Sequence, residues 1–192
     1  SWLPEILHSF QKKYEKIDVE VFQGTYEDVF LWMKRGVVDL GFLSVSSAKD
    51  VPIVPLYRDP LLCVLPKGIR KESVGEAIGI EEMKCHQFVT QRDSTDADIQ
   101  NFLRENSLQV QSNYHVVDDL STIALVEKGF GICLMPELVM HDIPYEVDCC
   151  PTEPRASRII GLAVMNPDFM APAVRMMYNH IIGQYQEEEF KK

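Results

Sequence analysis

An α/β fold is predicted for this chain of 192 residues, and two observations lead to the prediction. First, segments with apolar residues at helical spacing alternate with short apolar runs typical of buried strands, which is the order of βαβ units in a mostly parallel sheet. Second, one arrangement occurs twice: a capping residue, a helix, a glycine and a strand follow one another in residues 25–42 and in residues 119–134. This weak internal duplication favours two similar lobes.

The first half of the chain opens with a helical pattern. Trp2, Ile6, Phe10 and Tyr14 recur at helical spacing, and Pro4 is tolerated in a first helical turn. The segments predicted next are a strand at residues 18–23, a helix that opens with a capping box at residues 25–28 and stops at Gly36, and extended segments at residues 38–45, 51–57 and 61–65.

The second half continues the alternation. The predicted segments are a short helix at residues 80–84, a strand at 88–91, a helix bearing Ile99, Phe102 and Leu103, strands at 110–116, 132–135, 143–147 and 158–165, and a helix that starts at Pro172. The most informative stretch is residues 118–136, in which Asp118 or Asp119 can cap a helix. Gly129 stands where a left-handed helix end is expected, and Pro136 closes the strand that follows.

Composition excludes several classes of protein. A hydrophobic fraction of 46% and a charged fraction of 25% are those of an ordinary globular protein. No apolar run approaches the roughly 20 residues needed to span a bilayer, and the first residues lack the features of a signal peptide. We therefore expect no membrane partner. A net charge of −10 argues against direct binding of nucleic acid, which requires basic residues to neutralise phosphates.

The cysteines favour a reducing cytoplasm. There are five, which is an odd number, and none follows a C-x-x-C spacing. Cys63 and Cys133 lie in apolar runs, where a buried thiol is expected. Cys149 and Cys150 near His141 fit no tetrahedral metal pattern, which leaves a vicinal disulfide, a reactive thiol or ordinary strand-end cysteines. We expect no metal and no cofactor.

Several motifs follow one another in a characteristic order. They are Trp2-Leu-Pro4, Phe10, Tyr14, Gly24, Met33-Lys-Arg-Gly36, Asp39-Leu-Gly-Phe42, Pro55-Leu56 and residues 61–66, 88–95 and 118–136. In this order they resemble the effector-binding domain of a LysR-type transcriptional regulator, over essentially the whole chain. The most characteristic part is a helix, Gly129, Gly131, a strand and Pro136.

The resemblance implies a periplasmic-binding-protein-like (type 2) fold, in which two α/β lobes are joined by two crossover strands. The crossovers would be residues 61–65 and 159–165. Lobe I would comprise residues 1–62 and 163–192, and lobe II residues 63–162. The DNA-binding helix-turn-helix domain of the family, its linker helix and a strand that precedes the first helix are expected to lie outside this sequence.

The resemblance also implies a function. The chain would be a cytoplasmic ligand-sensing domain and not an enzyme. A small effector, anionic in one version of the hypothesis, would bind between the lobes and shift their closure. The regulator would be a homodimer or tetramer that contacts DNA only through the missing N-terminal domain. Apolar side chains on the first helix and on residues 119–128 are candidates for the subunit contact.

Candidate effector-binding residues are polar groups that follow strands or precede helices. They are Thr25, Ser44, Ser46, Arg92, Ser94, Thr95 and Asp119. The resemblance favours Thr25, Ser44, Ser94 and Thr95 within this set.

Each candidate also has a structural interpretation. In that interpretation, Thr25, Thr95 and Asp119 act as helix N-caps and have no contact with an effector. Such a cap stabilises a helix by about 1 kcal/mol. Arg92 can pair with a carboxylate effector, or it can form a salt bridge with a neighbouring aspartate. Those aspartates are Asp93, Asp96 and Asp98.

Two other functions compete with the sensor hypothesis. The first is a solute-binding protein that serves a transporter and has the same fold; free cysteines and the lack of a signal sequence disfavour it. The second is an enzyme on a two-lobed scaffold. No Ser-His-Asp order, P-loop or Gly-x-Gly-x-x-Gly motif supports it.

Overall fold

The computed structural model describes residues 2–48, 50–70, 75–91, 97–110, 112, 114–116 and 118–189. The helices are α1 (Trp2–Lys13), α2 (Tyr26–Lys34), α3 (Ile80–Met83), α4 (Ala97–Glu105), α5 (Asp119–Glu127) and α6 (Pro172–Glu189). The strands are β1 (Gly41–Ser44), β2 (Ile53–Pro66), β3 (Ile78–Gly79), β4 (Val89–Gln91), β5 (Tyr114–Val116), β6 (Cys133–Pro136), β7 (Val147–Glu153) and β8 (Ser157–Ala163). Short 3₁₀ helices follow β1 (Val45–Ser47), β6 (Glu137–Met140) and β8 (Pro167–Phe169).

The chain divides into two units. Unit 1 comprises Ser1–Tyr57 and Ile159–Lys192, and unit 2 comprises Arg58–Arg158. The chain therefore passes from one unit to the other twice, once within β2 and once within β8. The predicted lobe boundaries at residues 62/63 and 162/163 stay a prediction.

Unit 1 has helices on both faces of its strands. On one face of β1 and β8, Leu43 and Ala163 pack against Met33 of α2. On the other face, Leu162 packs against Ile6 of α1 and Ile181 of α6. The alternation of side chains along each strand produces these two apolar layers.

Unit 2 repeats the same layered plan. Leu65 of β2 and Leu134 of β6 face a core that also contains Phe102 of α4. Their neighbours Val64 and Met135 point to the opposite face and pack in a second core. That second core includes Ile123 and Val126 of α5. Both units are thus α/β sandwiches in which the strands are covered on both sides.

The expectation of a mostly parallel sheet is wrong. Strands β4 and β5, which are joined through α4, pair in parallel, as a βαβ connection requires. In contrast, β1 pairs antiparallel with β8, and β2 pairs antiparallel with both β6 and β7. The antiparallel pairs all include β2 or β8, the two strands that pass between units instead of returning through a helix.

Residues 18–23 do not form the predicted strand. They run beside an apolar groove of about 590 Å³ in unit 1, which is also lined by residues of α1, α6 and the segment 37–42. Because no strand among the described residues lies against this segment, its alternating side chains have no ladder to join. Val21 and Phe22 are accordingly exposed.

Two strand boundaries also differ from prediction. Residues 51–57 and 61–65 were expected as separate segments, but the single strand β2 spans Ile53–Pro66. Pro60 does not interrupt it, since proline is compatible with extended backbone. The strand predicted at residues 143–147 instead begins at Val147 and continues to Glu153, so Cys149 and Cys150 lie inside β7.

No helix within the described ranges is long and apolar enough to cross a membrane.

Candidate functional site

The N-terminus of α2 is closed by the predicted capping box. The Thr25 hydroxyl accepts the backbone N–H of Asp28 at 3.2 Å and donates to the Asp28 carboxylate at 2.7 Å. The backbone N–H of Thr25 donates to the same carboxylate at 3.0 Å. These bonds from Thr25 hold the pKa of Asp28 below its usual value.

The capping box limits what Thr25 can offer to a ligand. Its only hydroxyl proton is already donated to Asp28, so the oxygen has one lone pair left as an acceptor. The structural interpretation of Thr25 as an N-cap is therefore confirmed. A role in effector binding stays a prediction.

The turn after β1 carries three serines with a different arrangement. Ser44 ends the strand and is fully buried, and its hydroxyl makes no capping bond to the 3₁₀ helix that follows. The hydroxyl oxygens of Ser44 and Ser46 lie 3.0 Å apart, within hydrogen-bonding distance. The Ser47 hydroxyl oxygen is buried and has no hydrogen-bond partner within the described part of the chain. Two of the predicted site residues therefore meet here, and Ser47 joins them as an additional candidate.

The N-terminus of α5 is capped by Asp118 and not by Asp119. The Asp118 carboxylate accepts the backbone N–H of Ser121 at 2.8 Å, and this bond keeps the pKa of Asp118 below its usual value. The buried Thr122 hydroxyl donates to the backbone carbonyl of Asp118 at 2.9 Å. Asp119 is the first helical residue and is half-buried, so capping does not account for its side chain.

Arg92, Ser94 and Thr95 lie outside the described residues. In sequence they stand between the end of β4 at Gln91 and the start of α4 at Ala97. That placement, after a strand and before a helix, is the one expected of a ligand-binding loop in an α/β fold. Their proposed roles stay predictions.

The cysteines are free thiols at the positions that the structure describes. Cys63, Cys133 and Cys150 are buried, and Cys149 is partly buried. Burial raises the pKa of the Cys63 and Cys133 thiols, which keeps them protonated and unreactive. No group of three or more metal-ligating side chains occurs within the described ranges.

One polar residue that the sequence analysis missed is Asp59. It is a fully buried carboxylate in β2, bound by the Arg158 side chain and by the backbone N–H of Leu138. The signal in the sequence is an acidic residue two positions before the apolar run LLCVLP. Buried charges that remain charged require such partners.

A comparison with known protein families identifies the domain. The model of the family described as "LysR substrate binding domain" matches residues 1–186. The chain belongs to this family.

A sequence relative agrees with this assignment. The probable HTH-type transcriptional regulator LrrA of Synechococcus elongatus is 21% identical over 174 residues, which cover 90% of this chain and 58% of LrrA. The LysR substrate-binding domain described here thus spans somewhat more than half the length of that relative.

Solved structures share the fold. The effector-binding domain of QuiR in complex with shikimate has a TM-score of 0.82 and 21% identity, over 97% of this chain and 91% of QuiR's. The regulatory domain of CcmR from Synechocystis PCC6803 in complex with 2-PG has a TM-score of 0.84 and 14% identity, over 96% and 91%. The LysR domain therefore has the periplasmic-binding-protein-like (type 2) fold of two α/β lobes, as predicted.

Proposed function

We propose that this domain senses a small effector and relays its binding to a DNA-binding domain of the same regulator. The match to the LysR substrate-binding family over residues 1–186 is the observation that carries the proposal. The relative LrrA is an HTH-type regulator whose length exceeds that of the matched region, which supports a partner domain for DNA binding. Binding of the effector would shift the balance between two arrangements of the lobes.

We propose a sensing role and not a catalytic one. The family is defined by substrate binding, and LrrA is named as a regulator and not as an enzyme. A regulator of transcription works where the DNA is, so we also propose that the protein is cytoplasmic. Free, mostly buried cysteines are consistent with a reducing compartment.

The proposed effector contacts come from both halves of the fold. In unit 1 they are the hydroxyls of Ser44 and Ser46, because the Ser44 hydroxyl is not used to cap the following turn. In the second lobe they are Arg92, Ser94 and Thr95, which combine one guanidinium and two hydroxyls in four successive residues. The effector would lie between the lobes.

These groups favour a small anion as the effector. A guanidinium and hydroxyl donors suit the oxygens of a carboxylate or phosphate, and hydrogen bonds to charged groups are the stronger ones. Structural relatives of this domain have been solved with shikimate and with 2-PG. Thr25 would contribute mainly by fixing α2, and Asp119 would contact an effector only through a donor group of that effector.

A thermal-shift screen of small organic acids, with shikimate among them, tests the proposal. A ligand at 100 times its dissociation constant raises the free energy of unfolding by about 2.7 kcal/mol, which such a screen detects. Hits would then be measured by isothermal titration calorimetry. We expect Ser44→Ala and Thr95→Val each to weaken binding about tenfold, because each removes a hydrogen bond to a charged group.

Ser9→Ala is the matched control in unit 1. The Ser9 hydroxyl is bonded to the Ile6 carbonyl and to the Gln184 side chain, at 2.9 and 2.7 Å, between α1 and α6. This variant should leave the dissociation constant unchanged. An unchanged dissociation constant in both Ser44→Ala and Thr95→Val would show that the effector binds elsewhere.

We further propose that the regulator assembles as a homodimer or tetramer through apolar side chains of α1 and α5. Leu120 at the start of α5 is 50% exposed, which makes it the best candidate on that helix. On α1, Leu3 and Leu7 are half-buried. Sedimentation equilibrium of the domain should show a dimer that Leu120→Glu weakens. A dimer of unchanged strength in that variant would place the interface elsewhere.

A further inference from the structure

Four cysteines lie on three neighbouring strands of unit 2. Cys63 in β2 is directly opposite Cys150 in β7, and the next residue, Val64, is directly opposite Cys149. On the other side of β2, Val64 is opposite Cys133 of β6. The two faces of the sheet therefore carry different thiols. Cys63 and Cys150 contribute to one core, whereas Cys133 and Cys149 contribute to the other.

This arrangement excludes one interpretation of the adjacent residues Cys149 and Cys150. Successive side chains of a strand point to opposite faces, so these two thiols face different cores and a vicinal disulfide does not fit β7. The residue opposite Cys149 in β2 is a valine, whereas the residue opposite Cys150 is a cysteine. Cys150 is therefore the thiol that has another thiol as its direct cross-strand neighbour.

The Cys63–Cys150 pair has nearly the spacing that a disulfide needs. Directly opposite residues of an antiparallel sheet have Cα atoms about 4.5–5.5 Å apart, which is within the range of about 4.4–6.8 Å for disulfides. Their Cβ atoms are about 4.5–5.5 Å apart, at or above the upper end of the disulfide range of about 3.5–4.5 Å. A bond would draw the two strands slightly together, and strained disulfides are the ones that are readily reduced.

An arginine contacts one sulfur of the pair. Arg70 Nη1 donates to Cys150 Sγ at 3.3 Å, and Arg70 Nε lies 2.7 Å from Glu82 Oε1. The guanidinium thus contacts both a buried sulfur and a partly exposed carboxylate. A neighbouring guanidinium stabilises the negative charge of an attacking thiolate. Cys63 differs, because burial raises the pKa of its thiol and the nearby Cys150 raises that pKa further. An oxidant would therefore react at Cys150.

We propose that Cys63 and Cys150 form a reversible oxidation site that a hydroperoxide converts to a disulfide, with Arg70 as the residue that activates Cys150. First, the Cys150 thiolate attacks the terminal oxygen of the hydroperoxide and the O–O bond breaks. Cys150 becomes a sulfenic acid, and the other oxygen leaves as hydroxide or alkoxide and takes up the proton that the Cys150 thiol lost.

In the second step, the Cys63 sulfur attacks the sulfenic sulfur of Cys150. The S–O bond breaks, and the hydroxyl group leaves as water with the proton of the Cys63 thiol. Two thiols are thus oxidised by two electrons and one hydroperoxide is reduced. The direct opposition of the two residues offsets the low reactivity of the buried Cys63 thiol. Because transient disulfides of cytosolic proteins are usually catalytic or redox-sensing, this site would give the domain a second input beside the proposed effector.

Treatment of the effector-free 192-residue chain with hydrogen peroxide tests the proposal. The remaining thiols are blocked with N-ethylmaleimide in denaturant and counted by mass spectrometry of the intact protein. We expect two of the five thiols to escape blocking, and dithiothreitol to restore both. Cys149→Ala is the matched control, since it removes the adjacent thiol on the opposite face and should still lose the same pair.

The variants of the pair should stop the reaction at different stages. Cys63→Ala should accumulate the Cys150 sulfenic acid, which dimedone traps, whereas Cys150→Ala should form neither the sulfenic acid nor the disulfide. Circular dichroism shows whether each variant is folded, and if Cys150→Ala is not, Cys63→Ala still tests the site. A disulfide between any other two cysteines, or five blocked thiols after peroxide treatment, would overturn the proposal.

The rate of disulfide formation tests Arg70. Arg70→Met should slow it about tenfold, because the charge next to the sulfur is lost, whereas Arg70→Lys keeps that charge and should react at nearly the original rate. Lys67→Met is the control, since it removes an exposed cation that pairs with Glu146. A merely loosened core would speed the reaction, so an equal or higher rate in Arg70→Met would overturn the role of Arg70. No effector takes part, so a failed effector screen does not affect these outcomes.

Discussion

Two modules of the molecule are built to the same plan, one in each unit. In both, a side-chain oxygen caps the helix by accepting the backbone N–H of the residue three positions later. Thr25 accepts from Asp28 in unit 1, and Asp118 accepts from Ser121 in unit 2. Both helices end at a glycine with positive φ, +68° at Gly36 and +81° at Gly129. Each helix then leads to a short buried strand. This common frame shows how similar sequence patterns specify similar backbones.

The modules differ in the turn that follows the strand. In unit 2, the backbone N–H of Leu138 in this turn is bound by the buried Asp59. In unit 1, the corresponding turn contains Ser44, whose hydroxyl does not cap it, and Ser47, whose buried hydroxyl has no partner in the described part of the chain. The difference teaches that a backbone N–H of one turn is bound by a buried carboxylate, whereas the other turn keeps a buried hydroxyl, that of Ser47, without a partner among the described residues.

The largest expected effect concerns the glycines after each helix. Gly131 has φ +152°, and a Cβ there would lie 2.4 Å from the Gln87 carbonyl oxygen. We expect Gly131→Ala to lower the free energy of unfolding by about 3 kcal/mol, because backbone must move and the residue is strained. Urea denaturation followed by circular dichroism measures this change.

Gly129→Ala and Gly36→Ala are the controls for that prediction. Both glycines have positive φ, but a Cβ at either position meets no atom within 4 Å. Each substitution should cost only about 1–2 kcal/mol, the penalty for a left-handed residue with a side chain. Equal losses in all three variants would mean that the close approach at Gly131 is relieved by a small shift.

A smaller difference in the free energy of unfolding is expected between the helix caps and the turn after β1. Thr25→Ala and Asp118→Ala should each lower the free energy of unfolding by about 1 kcal/mol, since each leaves a helix N-terminus without its side-chain acceptor. Ser44→Ala should lower it by only about 0.5 kcal/mol, because it removes the bond between the Ser44 and Ser46 hydroxyls but no cap of the turn that follows. The same urea titrations measure all three variants.

Thr25→Ser and Asp118→Asn keep the capping oxygen and should be close to the original chain in stability. A loss in Ser44→Ala as large as that in Thr25→Ala would abolish the distinction between the two kinds of turn. The Ser44 hydroxyl would then be a structural group.

The sequence predicted the parts of the fold that depend on local chemistry. The capping box at Thr25, the stops at Gly36 and Gly129 and the strand before Pro136 follow from backbone rules within a few residues, and the structure confirms them. The prediction of a strand at residues 18–23 was wrong. A strand needs a neighbouring strand to pair with, and an alternating pattern of side chains does not show whether one is present.

The pairing directions of the strands and the hydrogen-bond partners of the buried Asp59 could not be predicted from local sequence patterns. The antiparallel pairing of β2 with β6 depends on where the chain returns after more than 60 intervening residues. The partners of Asp59 lie 79 and 99 residues away, so only the folded chain brings them together. At the candidate site, the sequence indicated the serines after β1, but only the structure shows that the Ser47 hydroxyl is buried without a hydrogen-bond partner among the described residues.

The positions of the two indole rings have an optical consequence. Trp2 packs on Phe42 with ring centroids 4.7 Å apart, and Trp32 packs on Phe22 at 5.9 Å. These are the only tryptophans in the sequence, and both belong to unit 1. Emission excited at the red edge of the absorption band therefore reports the melting of one lobe, whereas far-ultraviolet ellipticity reports both. The unfolding of unit 1 can therefore be followed separately from that of the whole chain in one sample.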